Sequence, residues 1–120
     1  MTINLGLTKK IKLSEVLYFK AKSNYTIIYL TKGRQISIPK TLKTFEETLV
    51  TTNFFRIDRA YIINLGFVKM LYKSGRNIEV ELINKIKIPI ARRRRGDFNK
   101  FTRRSRIVLP KVIDHKPNIL

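Results

Sequence analysis

A chain of 120 residues has room for one domain with a modest core, and an apolar fraction of 43% suffices to fold it. Its 26 basic residues against 8 acidic ones give a net charge of +18. That excess costs self-repulsion in the compact state and is useful beside a polyanion: DNA, RNA, the ribosome or an anionic membrane surface. Cysteine is absent and the single histidine, His115, lies near the C-terminus, which excludes disulfides and cysteine–metal sites and leads us to expect no metal and no cofactor. No run approaches a transmembrane length, and Met1 to Lys10 lacks the apolar core of a signal peptide, so a cytoplasmic protein is expected.

Residues 11 to 38 read as an antiparallel meander. Val16-Leu17-Tyr18-Phe19 and Tyr25 to Leu30 are strand-forming runs, and the polar stretch Lys20 to Asn24 between them reads as a hairpin loop. Lys32-Gly33-Arg34 supplies the next turn, and Gln35-Ile36-Ser37-Ile38 alternates as a third strand. Pro39 ends the sheet. Leu42, Phe45 and Leu49 then recur at helical spacing, with Thr41 placed to cap and Glu46 and Glu47 on the open face. So short a helix must pack its stripe on the sheet, and its acidic outer face repels phosphate. It reads as scaffold rather than as a recognition helix.

After Asn53 the strands resume with Tyr61-Ile62-Ile63 and Val68 to Tyr72. Ser74-Gly75 turns the chain into Asn77 to Leu82, whose alternation puts Ile78, Val80 and Leu82 inside and Glu79 and Glu81 in water. Asn84-Lys85 turns it again before Ile86-Lys87-Ile88, and from about Ala91 the pattern is helical, with Phe98 and Phe101 on one side. Val108 to Ile113 reads either as a docking strand or as a frayed tail, and the Pro117-Asn118 end as disordered. The expected division is an extension over 1–9, a domain over 10–106 and a tail over 107–120.

Enzymatic readings find no support in the residues. The acids are scattered, His115 has no partner in sequence, and there is neither a glycine-rich phosphate loop nor a nucleophile signature. A nuclease with acidic ligands converging from distant segments is the weakest of the alternatives. The cationic and amide groups carry more. Phe54 to Leu65 offers Arg56, Arg59 and Asn64 around a β run, and Lys87 to Arg95 ends in Arg92, Arg93, Arg94 and Arg95. Arginine reads guanine through a bidentate fork and asparagine reads adenine. Four cations at a helix start oppose the helix dipole and are better tolerated with an anion opposite; Arg103, Arg104 and Arg106 extend the basic surface. Tyr25, Tyr29 and Tyr61 would suit base stacking, but each lies in an apolar β run where a core or half-buried role is expected.

These segments resemble a known family. Val16 to Ala21 followed by Ser23-Asn24-Tyr25 resembles the opening of the LytTR DNA-binding domain, Phe55 to Asn64 its central motif, and Ile88-Pro89-Ile90-Ala91-Arg92-Arg93 its closing motif. The match runs in order over about residues 10 to 103. The resemblance implies a mainly β fold of elongated antiparallel sheets with short helices. It also implies a bacterial transcription regulator, usually the effector half of a two-component response regulator, that inserts loops into successive major grooves at repeated half-sites of double-stranded promoter DNA. Carried over, it assigns DNA reading to Asn24, Arg59, Asn64, Arg92 and Arg93. Lys22, Arg56, Arg94, Arg95, Arg103 and Arg104 are left as candidates for phosphate contacts. Asp58 stands where many members carry histidine, as does Asn24 in some; Asp58 either orients Arg59 or accepts from a cytosine amine. No phosphoacceptor domain precedes the motifs, so either a single-domain member or a piece of a longer regulator is expected, with a homodimer on DNA possible in both cases. The rival readings are a basic RNA- or ribosome-binding module and an interaction protein whose basic face meets an acidic partner.

Overall fold

Branched and aromatic runs separated by turn residues place most of this chain in strands. The computed structural model describes residues 2–6, 9–104 and 112–114. A first unit, ending at Asn64, holds β1 (Thr2–Gly6), β2 (Lys9–Lys12), β3 (Val16–Lys22), β4 (Tyr25–Leu30), β5 (Gln35–Ile38), α1 (Leu42–Thr48), β6 (Phe54–Arg56) and β7 (Tyr61–Asn64). A second, beginning at Leu65, holds β8 (Val68–Ser74), β9 (Asn77–Leu82), β10 (Lys87–Pro89), α2 (Arg95–Arg104) and β11 (Val112–Asp114). Mainly antiparallel β structure with short helices is the expected class. Arg106, residues 107–111, His115 and the Pro117-Asn118 end lie outside the described residues.

In the first unit five strands lie in the order β5-β4-β3-β7-β6, every pair antiparallel, with β3 at the centre. The expected meander is its β3-β4-β5 half. Val16 faces Leu30 while Tyr18 faces Tyr29, so β3 carries one extra residue, Leu17, as a bulge. The bulge resets the alternation, which is how Val16 and Phe19, three residues apart, both join one core. Leu42, Phe45 and Leu49 pack on that core, the Phe45 ring lying 5.0 Å from that of Phe19. Glu46 and Glu47 stay on the outer face, as the spacing predicts. Thr41 occupies the N-cap position but makes no capping bond; its hydroxyl meets that of Thr44 at 3.4 Å. β1 and β2 form a hairpin whose Ile3 is buried in the same core, so residues 2–6 pair with residues 9–12 rather than trailing from them.

The second unit orders its strands β10-β9-β8-β11. β9 pairs antiparallel with both β8 and β10, whereas β11 lies parallel to β8, with Val112 opposite Leu71. Val112 and Ile113 therefore dock as a strand. Ile78, Val80 and Leu82 point inward as expected, but Glu81 does not stand in water: it is 8% exposed. Tyr72 Oη donates to its carboxylate, and the Lys87 ammonium, whose residue pairs across from Glu81, lies 4.6 Å from the centre of the Tyr72 ring. A buried charge needs such partners. The hydrogen bond to Glu81, then partial burial, then the negative charges of Glu81 and Glu79 raise the Tyr72 phenol above its ordinary 10.0.

Phe45 tests the scaffold role of α1. Phe45→Ala should cost about 3–5 kcal/mol, a large share of a small domain's stability. A lower unfolding midpoint in denaturant, with binding lost only in proportion to the unfolded fraction, is expected; a fully folded variant that has lost specific binding would make the helix a reading element.

Candidate nucleic-acid interface

Sheet register decides which candidates share an end of the first unit. Along β3 and β7, Lys20 faces Tyr61, and Ala21 N donates to Ala60 O at 2.8 Å. The β3–β4 hairpin, where Lys22 pairs with Tyr25, therefore lies beside the loop that precedes β7. Lys22, Ser23 and Asn24 are thus neighbours of Asp58, Arg59 and Ala60 at one end of the sheet. The hairpin is tighter than the expected five-residue loop, because β3 runs on to Lys22 and only Ser23 and Asn24 turn the chain. Ser23 takes φ +55, a conformation in which a non-glycine residue is strained by about 1–3 kcal/mol. Lys22 and Asn24 are exposed, and their side chains make no hydrogen bond or ion pair with described residues.

The 57–60 loop is held from within. Asp58 Oδ1 accepts the amide protons of Ala60 at 2.7 Å and Tyr61 at 2.8 Å, the local bonding that suits aspartate to turns. Arg56 closes the other side: Nε donates to Asp58 O at 3.1 Å, Nη2 to Arg59 O at 3.2 Å, and Nη1 to Glu46 Oε1 at 3.0 Å. Of the two roles left open for Asp58, shaping the turn under Arg59 is therefore the one this geometry serves. Arg56 thus gives two of its donors to the same turn and a third to α1. Arg59 itself is exposed, and its side chain has no partner among described residues.

Asn64 is elsewhere. It closes the far end of β7 from Tyr61, pairs with Phe54, and is 8% exposed. Its Nδ2 donates to Val16 O at 2.9 Å, tying β7 to the start of β3. A backbone carbonyl 48 positions away thus supplies the partner that a buried donor requires. The aromatic residues also divide. Tyr18 stacks on Tyr29 at 4.4 Å and lies 5.8 Å from Tyr61, leaving both half-buried, while Tyr25, next to Asn24, is 50% exposed.

In the second unit the arginine block follows β10 at the end of the sheet that carries the β8–β9 turn. Ile90 N donates to Ile78 O at 2.8 Å, Ala91 leads into a single 3-10 turn over Arg92–Arg94, and α2 follows. The four arginines are not equivalent. Arg92 and Arg93 are exposed with no side-chain partner among described residues. Arg94 pairs with Asp97 at 3.0 Å, an exposed ion pair of the kind worth about 0–1 kcal/mol and easily exchanged for a phosphate. Arg95 Nη2 donates to Asn77 Oδ1 at 2.8 Å. Further along α2, Arg103 Nε reaches Asn99 O at 3.3 Å, and Arg104 is exposed. Phe98, buried, roots the helix.

Sequence reasoning missed the locking role of Arg56, although an aspartate opening a four-residue loop signals a side-chain-bonded turn. It also passed over Arg76 in the Ser74–Asn77 turn, whose signal is only its place in a tight hairpin. No helix among the described residues is long and apolar enough to cross a membrane, and no group of three or more acids or histidines among them could hold a metal.

Asn64→Ala separates holding from reading. Losing the donor to a buried carbonyl should destabilise the fold by about 1–3 kcal/mol in denaturant titration. Among folded molecules the preference for a selected duplex over a scrambled one should stay unchanged; a folded variant with that preference collapsed would return Asn64 to the bases.

Comparison with known proteins bears on the family and the fold. The family model for the LytTr DNA-binding domain matches residues 7–103. Among solved structures, a LytTr DNA-binding domain from Bacillus cereus, described as part of a methyl-accepting/DNA response regulator, superposes with a TM-score of 0.71 at 22% identity. The match covers 83% of this chain and 94% of that one. No curated protein matches the chain. With the family model spanning most of its length and the same fold beneath it, the chain belongs to the LytTR family of DNA-binding domains.

Proposed function

We propose that the chain reads double-stranded promoter DNA sequence-specifically as the DNA-binding part of a bacterial transcription regulator, of the kind that serves as effector of a two-component response regulator in the cytoplasm. The observation that carries this reading is Arg59: an exposed guanidinium with no partner among the described residues, on a turn already held by four hydrogen bonds, beside Asn24, whose side chain likewise has none among them. A side chain presented from a rigid turn starts from a fixed backbone position, which favours base reading over loose charge attraction. Asn24 and Arg59 are assigned to base edges from the first unit, and Arg93 from the second with Arg92 beside it on the DNA, each unit entering its own major groove. Lys22, Arg94, Arg103 and Arg104 hold phosphates, and Arg95 contributes through the turn it grips. Arg56 acts beneath Arg59 and Asn64 within the sheet. Repeated half-sites occupied by two copies of the chain fit a reader of this size.

A second reading rests on Tyr25, whose half-exposed ring beside Asn24 would suit an unpaired base. Affinity for the single strands of a selected site against their duplex decides between them.

Arg59→Ala, Arg93→Ala and Arg104→Ala, each confirmed folded by circular dichroism, should then sort the contacts. The first two should lose about 1–3 kcal/mol on a duplex selected from a randomised library and shrink its advantage over a scrambled duplex. Arg104→Ala should weaken both duplexes alike. For the unmodified chain, log affinity against log salt should fall with a slope of about −4 to −8, near −0.9 per phosphate neutralised. Equal losses on both duplexes for all three variants would leave only a non-specific basic surface.

A further inference from the structure

The second unit carries a cleft between its β8–β9 turn and the arginine block. Ser74, Gly75, Arg76, Asn77, Arg92 and Arg95 line a space of about 550 Å³ at the turned end of its sheet. Ser74 pairs with Asn77, so Gly75 and Arg76 alone make the β8–β9 turn. Gly75 takes φ +61 at the first central position, where a tight hairpin of this kind calls for positive φ and glycine supplies it without strain. Arg76 follows on the turn, exposed and without a side-chain partner among described residues. Arg92 approaches from the other side.

Arg95 also lines the space. Its Nη2 is fixed on Asn77 at 2.8 Å, while its Nε is buried and makes no hydrogen bond with the described residues. Three arginines thus line one cleft, and among the described residues no carboxylate lines it. Packing three like charges together is unfavourable unless an anion screens them. Guanidinium forks match the paired oxygens of a phosphate group bidentately, as they do those of a carboxylate.

The geometry points to this cleft as the seat of one phosphate group, a backbone phosphate of the duplex, held by Arg76 and Arg92 with Arg95 as the fixed third cation. The inference rests on the duplex-reading function and deepens it. A phosphate seated here sets the register of the neighbouring Arg93 on the bases. Arg76 becomes a DNA contact of a residue that neither the motif nor the arginine run includes.

The test pairs a protein change with a DNA change. Arg76 is exposed on a turn whose φ requirement falls on Gly75, so Arg76→Ala should fold normally. It should bind selected and scrambled duplexes about tenfold more weakly and lower the salt slope by about one. Replacing single phosphates of the selected site by neutral methylphosphonates should identify one position where the unmodified chain loses affinity and Arg76→Ala does not. Loss at every position alike in both proteins, or an unchanged slope in Arg76→Ala while the unmodified chain still binds the duplex, overturns the cleft and spares the reading function. No duplex binding by the unmodified chain overturns both. Titration with inorganic phosphate alone, followed through the arginine Nε–H signals, separates the sources. Saturation there, with those signals unmoved by duplex, would give the cleft to a free phosphate and overturn the backbone contact.

Discussion

The hydrogen bond from Ala21 N to Ala60 O, at the margin where β3 meets β7, is the contact that sets the first unit's two turns side by side. β3 is paired on both edges, and its register fixes where each neighbouring loop emerges. Because β7 runs antiparallel to it, the loop that precedes β7 and the turn that follows β3 must open at the same end. Asn24 and Arg59, 35 positions apart in sequence, become neighbours through that topology alone. The same register sends Asn64 to the opposite end, where its amide serves the sheet. A slip of one residue would exchange the two faces of the strand and undo both placements.

Charge is allotted with similar economy. Among the eight acids, Glu15, Glu46 and Asp97 pair with Arg34, Arg56 and Arg94, Asp58 caps the backbone of its own turn, and Glu81 sits under Tyr72. Few carboxylates are left to oppose a polyanion. The basic residues divide into those that shape the surface, such as Arg56 and Arg95, and those that stand clear of it, such as Arg59, Arg92 and Arg93. Shaping and contacting are distinct jobs, and a count of positive charge in the sequence does not separate them.

What the sequence makes legible follows from the range of each interaction. The stripe of Leu42, Phe45 and Leu49 and the inward set of Ile78, Val80 and Leu82 are local periodicities, and both are where the spacing puts them. Glu81 escapes because the groups that bury it come from adjacent strands, Tyr72 on β8 and Lys87 on β10. Asn64 escapes for the same reason, its partner being the carbonyl of Val16 across the sheet. Leu17 escapes because a bulge breaks the period that the eye follows. Arg56 and Arg59 look alike on paper, and only the path of the 57–60 loop tells which one turns back to hold it.

The central claim is that strand-end turns, not the helix on the outer face of the first unit, meet the duplex. Backbone amide shifts of the isotope-labelled chain, followed by nuclear magnetic resonance as a selected duplex is added, test it most directly. The account predicts the largest changes at Lys22 to Asn24, Asp58 to Ala60, Gly75 to Asn77 and Ala91 to Arg95, with little at Lys43, Glu47 and Asn64. Changes centred on α1 or on Asn64, with those turns unmoved, would contradict it.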